Sequence, residues 1–266
     1  MADPTCTTRC TPRTSSGRTT SGEGGGLDLA LRAAAHDLVA WLDADDYWDR
    51  HHCAVVASLL DEHPAAAVAF SAMRFVGART DLWRRRTACT GPARVLWECF
   101  DATIVPASSG ITRRQAALDV GGFREEIRTA PDFEFWIRMA FRYPFVWTQQ
   151  ATANYRWHDH QISRDPAAQL RSVYRSRSLL AQETEQRGDV ELADRMRNRT
   201  RDLLDKELVD AWRRADRPRV RDLLAVGKHE GLDTPAYRKI LPLSRIPAPF
   251  VQGWRTARTL LAGRVM

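Results

Sequence analysis

The feature that most constrains this chain is a short apolar run that ends in acid. Leu38-Val39-Ala40-Trp41-Leu42 is followed at once by Asp43-Ala44-Asp45-Asp46. So short an uninterrupted apolar run, stopped by acidic residues, reads as a buried parallel strand. Carboxylates directly beyond a strand stand where α/β sheets bind ligands, in the crevice outside the strand C-termini. Crowded together they repel one another unless a cation neutralises them. Hard cations such as Mg2+ or Mn2+ take oxygen ligands and often carry substrate phosphates. Alternate residues of an extended segment face one side, so Asp43 and Asp45 point toward a common site. The competing reading is a helix cap, with Asp45 or Asp46 serving the helix that follows.

The rest of the chain places this strand end in an α/β pattern. Leu27, Ala30, Leu31 and Ala34 recur at helical spacing and predict a short helix ending near His36. A helix is expected over residues 50–62, with Val55, Val56, Leu59 and Leu60 inward and Pro64 marking its end. On that helix His51 and His52 are expected at the surface. Strands are expected over 67–76, 102–108 and 145–155, and a short helix over 112–118. A helix over 132–142 begins behind Pro131, a favoured first-turn residue. Beyond Asp165 the strand signals stop, and Leu170, Val173, Leu204, Leu208 and Trp212 fall at helical spacings, with breaks near Gly188 and Pro218. Alternating strands and helices followed by helices alone give three segments: 1–26, 27–164 and 165–266. The first, rich in Thr, Ser, Gly and Arg and ending in Gly24-Gly25-Gly26, predicts a disordered tail.

Composition excludes several classes. At 44% hydrophobic and 27% charged residues the chain is not wholly disordered. It has no run near the ~18 apolar residues that span a bilayer, and no signal-peptide pattern. Five irregularly spaced cysteines match neither a disulfide framework nor a zinc site, which fits a reducing cytoplasm. The net charge of +7 comes entirely from residues 165–266, which hold 21 Lys and Arg against 14 Asp and Glu. Such a region either presents solvated arginine faces or meets an anionic surface such as the inner face of a membrane. The final segment, with Trp254, Leu260, Leu261 and Val265 beside Arg255, Arg258 and Arg264, reads equally as an interfacial helix and as one docked on the protein's own core. No platform of interleaved aromatic and basic residues is evident, so nucleic acid is not expected as a partner.

The acidic motif has a rival in phosphotransferases of the haloacid-dehalogenase type, which want Thr or Ser two residues after the second Asp. Tyr47 stands there, so that match fails. Three further motifs follow in order. They are Ser108-Ser109-Gly110-Ile111-Thr112-Arg113-Arg114 with Val120-Gly121-Gly122-Phe123-Arg124-Glu125; Ala130-Pro131-Asp132-Phe133-Glu134-Phe135-Trp136-Ile137-Arg138; and Tyr155-Arg156-Trp157-His158 running on to Ser163. With the acidic strand end, the set resembles glycosyltransferase family 2 over about half the chain. Each motif is soft alone, and four in register are specific.

The resemblance implies a partial GT-A fold with a C-terminal α-helical region. It implies transfer of a sugar from a nucleotide-diphosphate donor to a saccharide or lipid-linked acceptor, with inversion and with a divalent cation, Mg2+ or Mn2+. Asp43, Asp45 and His158 take the donor and metal positions, and Asp132 that of the general base. Gly121, Gly122, Phe123, Trp136 and Arg156 fall on the acceptor or donor side. Each position also has a plainer reading: a first-turn carboxylate for Asp132, a loop histidine for His158, and core packing for Trp41 and Trp136. Two departures stand out. Pro131 replaces the Glu usual before the base, and the strands that grip the nucleotide base have no counterpart before Leu27. The second departure carries the expectation of impaired activity. It also keeps open a non-catalytic remnant or binding module of the same fold, while the basic residues 165–266 carry a last reading, a basic helical protein that binds nucleic acid or membrane.

Overall fold

The structure, a computed structural model, describes residues 23–84, 91–158 and 165–244. The chain divides into two compact units, Met1–Asp165 and Pro166–Met266.

In the first unit, helix α1 (Glu23–Ala33) leads to β1 (Leu38–Ala40), β2 (Tyr47–Trp48), α2 (His52–Glu62), β3 (Val68–Gly77) and β4 (Leu82–Trp83). Then come α3 (Leu96–Asp101), a 3-10 turn (Ala107–Ser109), β5 (Gly110–Arg113), α4 (Arg114–Asp119), α5 (Pro131–Arg142) and β6 (Phe145–Trp157). The sheet order is β1-β5-β3-β6-β2, with β4 paired to β3. Among the described residues only β3 and β6 run parallel; every other pairing is antiparallel. Helix α2 lays Val56 and Leu60, both fully buried, on Ala69, Ile111 and Val146 of the sheet. Truncating such a leucine to alanine costs about 3 kcal/mol, since both transfer energy and cavity are lost.

This topology corrects several expectations. The strand carrying the acidic run is not a buried parallel one: β1 is a half-buried end strand of the described sheet, antiparallel to β5. Its apolar run arises from different contacts, because Leu38 and Ala40 join the α2 cluster while Trp41 lies beyond the strand among aromatic rings. Residues 102–108 form no strand. Pro106 leads into the 3-10 turn, and extended pairing starts at Gly110. Thr112 lies in β5, its hydroxyl donating to Ala67 O at 3.1 Å, so the helix begins only at Arg114.

The glycine run also departs from the tail reading, since α1 already covers Gly24, Gly25 and Gly26, while residues 1–22 lie outside the described residues. A Cβ on Gly24 would stand 2.4 Å from Arg124 O, so only glycine lets this helix approach so closely.

In the second unit, α6 (Pro166–Gln186), α7 (Val190–Arg213), α8 (Arg217–His229) and α9 (Pro235–Ser244) pack around Tyr174, Leu204, Leu208, Trp212, Leu223 and Ile240. Gly188, at φ +91°, separates α6 from α7. Asp189 and Asp216 cap α7 and α8 by accepting Leu192 N–H and Arg219 N–H. Pro218 therefore marks the first turn of α8, with the break itself at Ala215, φ +58°. Among the described residues no helix is long and apolar enough to cross a membrane. The predicted helix over 250–266 lies outside the described residues.

Candidate active site

The acidic run leaves β1 and turns, with Asp46 N–H donating to Asp43 O at 3.1 Å. The turn sends the carboxylates different ways. Asp43 and Asp45 are half-exposed, whereas Asp46 is only 8% exposed. Asp45 meets His158 just beyond β6, with Oδ2 and Nε2 2.9 Å apart. Asp46 instead accepts from Ser108 Oγ at 2.5 Å and from Arg156 N–H at 2.9 Å. Burial pushes the Asp46 carboxyl above its usual range, and those two hydrogen bonds pull it back part of the way. Ser108 is the hub of the loop. Its hydroxyl also accepts Asp43 N–H at 3.2 Å, and its carbonyl accepts Trp48 Nε1 at 2.5 Å.

Helix α5 begins under strain. Ala130 adopts the left-handed conformation at φ 51°, directly before Pro131, and Asp132 and Glu134 follow in the first turn. A non-glycine residue held there costs about 1–2 kcal/mol, and such strain concentrates at functional positions. The strain presents Asp132 at the positive end of a helix dipole. Burial nevertheless dominates and raises the Asp132 carboxyl, opposed by hydrogen bonds from its own N–H and that of Phe133. The dipole therefore does not make this acid stronger than an ordinary one.

Two contacts bind α5, one to the acidic loop and one to the start of β5. Phe135 packs at 6.3 Å from Trp41, two residues before Asp43, and both rings enclose Phe123. Trp136, one turn after Asp132 on the same face, lies against Gly110, where a Cβ would stand 3.4 Å from its ring. Behind them, buried Arg138 grips Glu134 with two hydrogen bonds of 2.6 Å and also donates to Val120 O and Gly122 O. Arg124 adds a third cationic contact to Glu134 at 3.0 Å. The (i, i+4) spacing of Glu134 and Arg138 was visible in the sequence, but their burial was not.

Several predicted site residues thus serve the core. Trp136 is 2% exposed and Phe123 5% exposed, so both rings pack inward. Gly122, at φ +70°, sits where a Cβ would strike Asp28 Oδ1, and that oxygen accepts Phe123 N–H at 3.1 Å. The turn is shaped by α1, and Gly121 is its exposed member. Arg156 contributes its backbone to Asp46 while its side chain is exposed.

His52 is a plain correction. Expected at the surface, it is fully buried, stacked on Trp48 at 4.6 Å, with Nδ1 2.7 Å from Thr152 Oγ1. Burial lowers its pKa to about 4. His51 beside it is exposed, as expected. Sequence reading also missed Asp49, which accepts from Arg74 and Asn154 at 2.9 Å each and is held below the usual carboxylate range by them.

Among the described residues no three His, Cys, Asp or Glu side chains gather into a metal cage. Asp45 and His158 nonetheless present adjacent oxygen and nitrogen donors, 40% and 33% exposed. That set fits a cation held by one or two protein ligands, with water and substrate phosphates completing the sphere.

The sequence model of the glycosyltransferase like family 2 matches residues 14–190. No curated protein matches the chain. The crystal structure of S. aureus TarS superposes with a TM-score of 0.50 at 17% identity, over 90% of this chain and 43% of that one. S. aureus TarS 1-349 in complex with UDP-GlcNAc gives 0.47 at 19% identity, over 62% of this chain and 47% of that one. The mannosyltransferase PcManGT from Pyrobaculum calidifontis, in complex with GDP-Man and Mn2+, gives 0.38 at 16% identity, over 91% of this chain and 64% of that one. The chain spans less than half the length of these TarS chains. At such identities the likeness concerns the fold, which is the mixed α/β arrangement of GT-A proteins.

Proposed function

The chain belongs to the glycosyltransferase like family 2, and from that membership we propose that it transfers a sugar from a nucleotide-diphosphate donor to a hydroxyl of a saccharide or cell-envelope acceptor. The observation that carries this reading is the pairing of Asp45 with His158 at 2.9 Å, across 113 residues, beside a loop locked by Ser108. Asp45 and His158 would hold the divalent cation, Mg2+ or Mn2+. When bound, it supplies positive charge that stabilises the departing diphosphate.

The remaining work falls to the chain. Asp132 accepts the proton of the acceptor hydroxyl as that oxygen bonds to the sugar C1 and the bond from C1 to the diphosphate oxygen breaks. A base with a raised pKa suits this task, because it holds the proton more firmly near neutral pH. Attack from the face opposite the leaving group inverts C1. The Arg138–Glu134 network holds the first turns of α5 and keeps Asp132 in place.

The test is thermal stabilisation of the full chain by a panel of UDP- and GDP-sugars, with and without Mn2+. One donor should raise the melting temperature only when Mn2+ is present. No donor binding under either condition would replace this reading with that of a non-catalytic remnant of the fold.

A further inference from the structure

Asp46 is the carboxylate of the acidic run to which the transferase reading gives no part. Its two oxygens are both taken, one by Ser108 Oγ at 2.5 Å and the other by Arg156 N–H at 2.9 Å. Ser108 is itself 1% exposed and accepts Asp43 N–H at 3.2 Å. Three segments of chain therefore meet on one side chain: the loop after β1, the 3-10 turn before β5 and the end of β6.

The junction lies where sheet pairing runs out. Strand β2 pairs with β6 only at Tyr47↔Asn154 and Trp48↔Ala153. By Arg156, β6 has passed the end of that partner, and a backbone N–H in a half-buried place still needs an acceptor. The Asp46 carboxylate supplies it. Asp45 precedes this anchor by one residue and His158 follows it by two.

We infer that Asp46 is a positioning residue and not a cation ligand: it buckles the acidic loop to Ser108 and β6 and so sets the spacing of Asp45 and His158. What that spacing serves rests on the transferase reading above; the buckle itself does not. The two roles make different demands. A ligand must offer its negative charge to the cation. A buckle must only offer acceptor geometry, which a neutral amide largely preserves, with Ser108 Oγ turning to accept from the new NH2 group.

The experiment compares full-chain Asp46→Asn, Asp46→Ala, Ser108→Ala and Asp45→Asn. One arm follows amide hydrogen exchange at Asp43 and Arg156 by NMR. The other follows binding of Mn2+ with UDP, and with GDP, by electron paramagnetic resonance. Asp46→Ala should speed exchange at Arg156, and Ser108→Ala at Asp43, each by about tenfold or more. Both should weaken Mn2+ by roughly 10- to 100-fold, the usual cost of losing a group that orients a ligand. Asp46→Asn should restore slow exchange at Arg156 and keep Mn2+ affinity within about threefold, while Asp45→Asn loses it. Equal loss of Mn2+ in Asp46→Asn and Asp45→Asn would make Asp46 a ligand and overturn the inference. So would unchanged exchange at Arg156 in a folded Asp46→Ala protein. Should Asp46→Ala fail to fold, the Asn and Ser108 variants still decide. Failure of the unsubstituted chain to bind Mn2+ with either nucleotide would sink the transferase reading alone, and the exchange arm would still judge the buckle.

Discussion

Asp45 Oδ2 and His158 Nε2 stand 2.9 Å apart although 113 residues separate them. One belongs to the loop that leaves β1, the other to the residue after β6, and β1 and β6 are not neighbours in the sheet. Their meeting depends on the loop crossing the ends of the intervening strands. Ser108, Asp46 and Arg156 hold it there.

Replacing Asp45 by Ala should remove the Mn2+-dependent part of donor affinity, by at least about 100-fold, and leave the fold intact because the side chain is 40% exposed. Isothermal titration of a nucleoside diphosphate with and without Mn2+ measures it. Unchanged metal dependence would contradict the assignment.

Asp132→Asn should lower transfer by roughly 10²- to 10⁴-fold, the worth of a positioned base, with donor affinity kept. The same change should stabilise the protein. The folded carboxyl is raised, so its favourable protonated state is fully present below the unfolded pKa and is lost as pH rises through the folded one. At neutral pH the desolvated charge therefore costs stability, and the amide removes it. Calorimetry should show a higher melting temperature for the inactive variant; a lower one would refute the burial argument.

His52 gives the opposite sign. Its folded pKa of about 4 lies below the ordinary 6.5, so the unfolded chain binds the extra proton between those values. Stability present above pH 6.5 should fall by about 3 kcal/mol as the pH drops to 4. Asp46 and Asp132 act in the opposite direction over part of that range, so the difference between the wild type and His52→Phe isolates the histidine. Urea unfolding at stepped pH supplies the comparison, and parallel curves would count against it.

Arg138→Met should destabilise the first unit by about 3–5 kcal/mol, because it strands Glu134 in a buried setting and frees two carbonyls of the Val120–Gly122 turn. Arg124 compensates in part. A loss below about 1 kcal/mol in chemical denaturation would mean that the network adds little.

Much of this protein was legible before its structure. The helices at Arg142 and before Pro64, the strands at Val68 and Phe145, and the helical character beyond Asp165 all follow from local periodicity and punctuation. Motif order led to the family, and the match to residues 14–190 bears that out. What misled was chemistry read without neighbours. His52 was expected at the surface together with its neighbour His51, yet Trp48 and Thr152 close over it. Phe123 fell on the substrate side of the motif, yet the rings of Trp41 and Phe135 enclose it, while Trp136, for which core packing stood beside the site reading, lies against Gly110.

The residues alone determined that an acidic run would follow a short apolar strand and that a carboxylate would open a later helix, since both depend on side chains within a few positions of each other. Tertiary structure alone decided which carboxylates remain available. Hydrogen bonds reach only about 3 Å, and whether Ser108, Arg156 or His158 lies within that reach is set by strands pairing across a hundred residues. That pairing divides three similar aspartates into one buried and buckled, one hydrogen-bonded to His158, and one tethered by its backbone to Ser108.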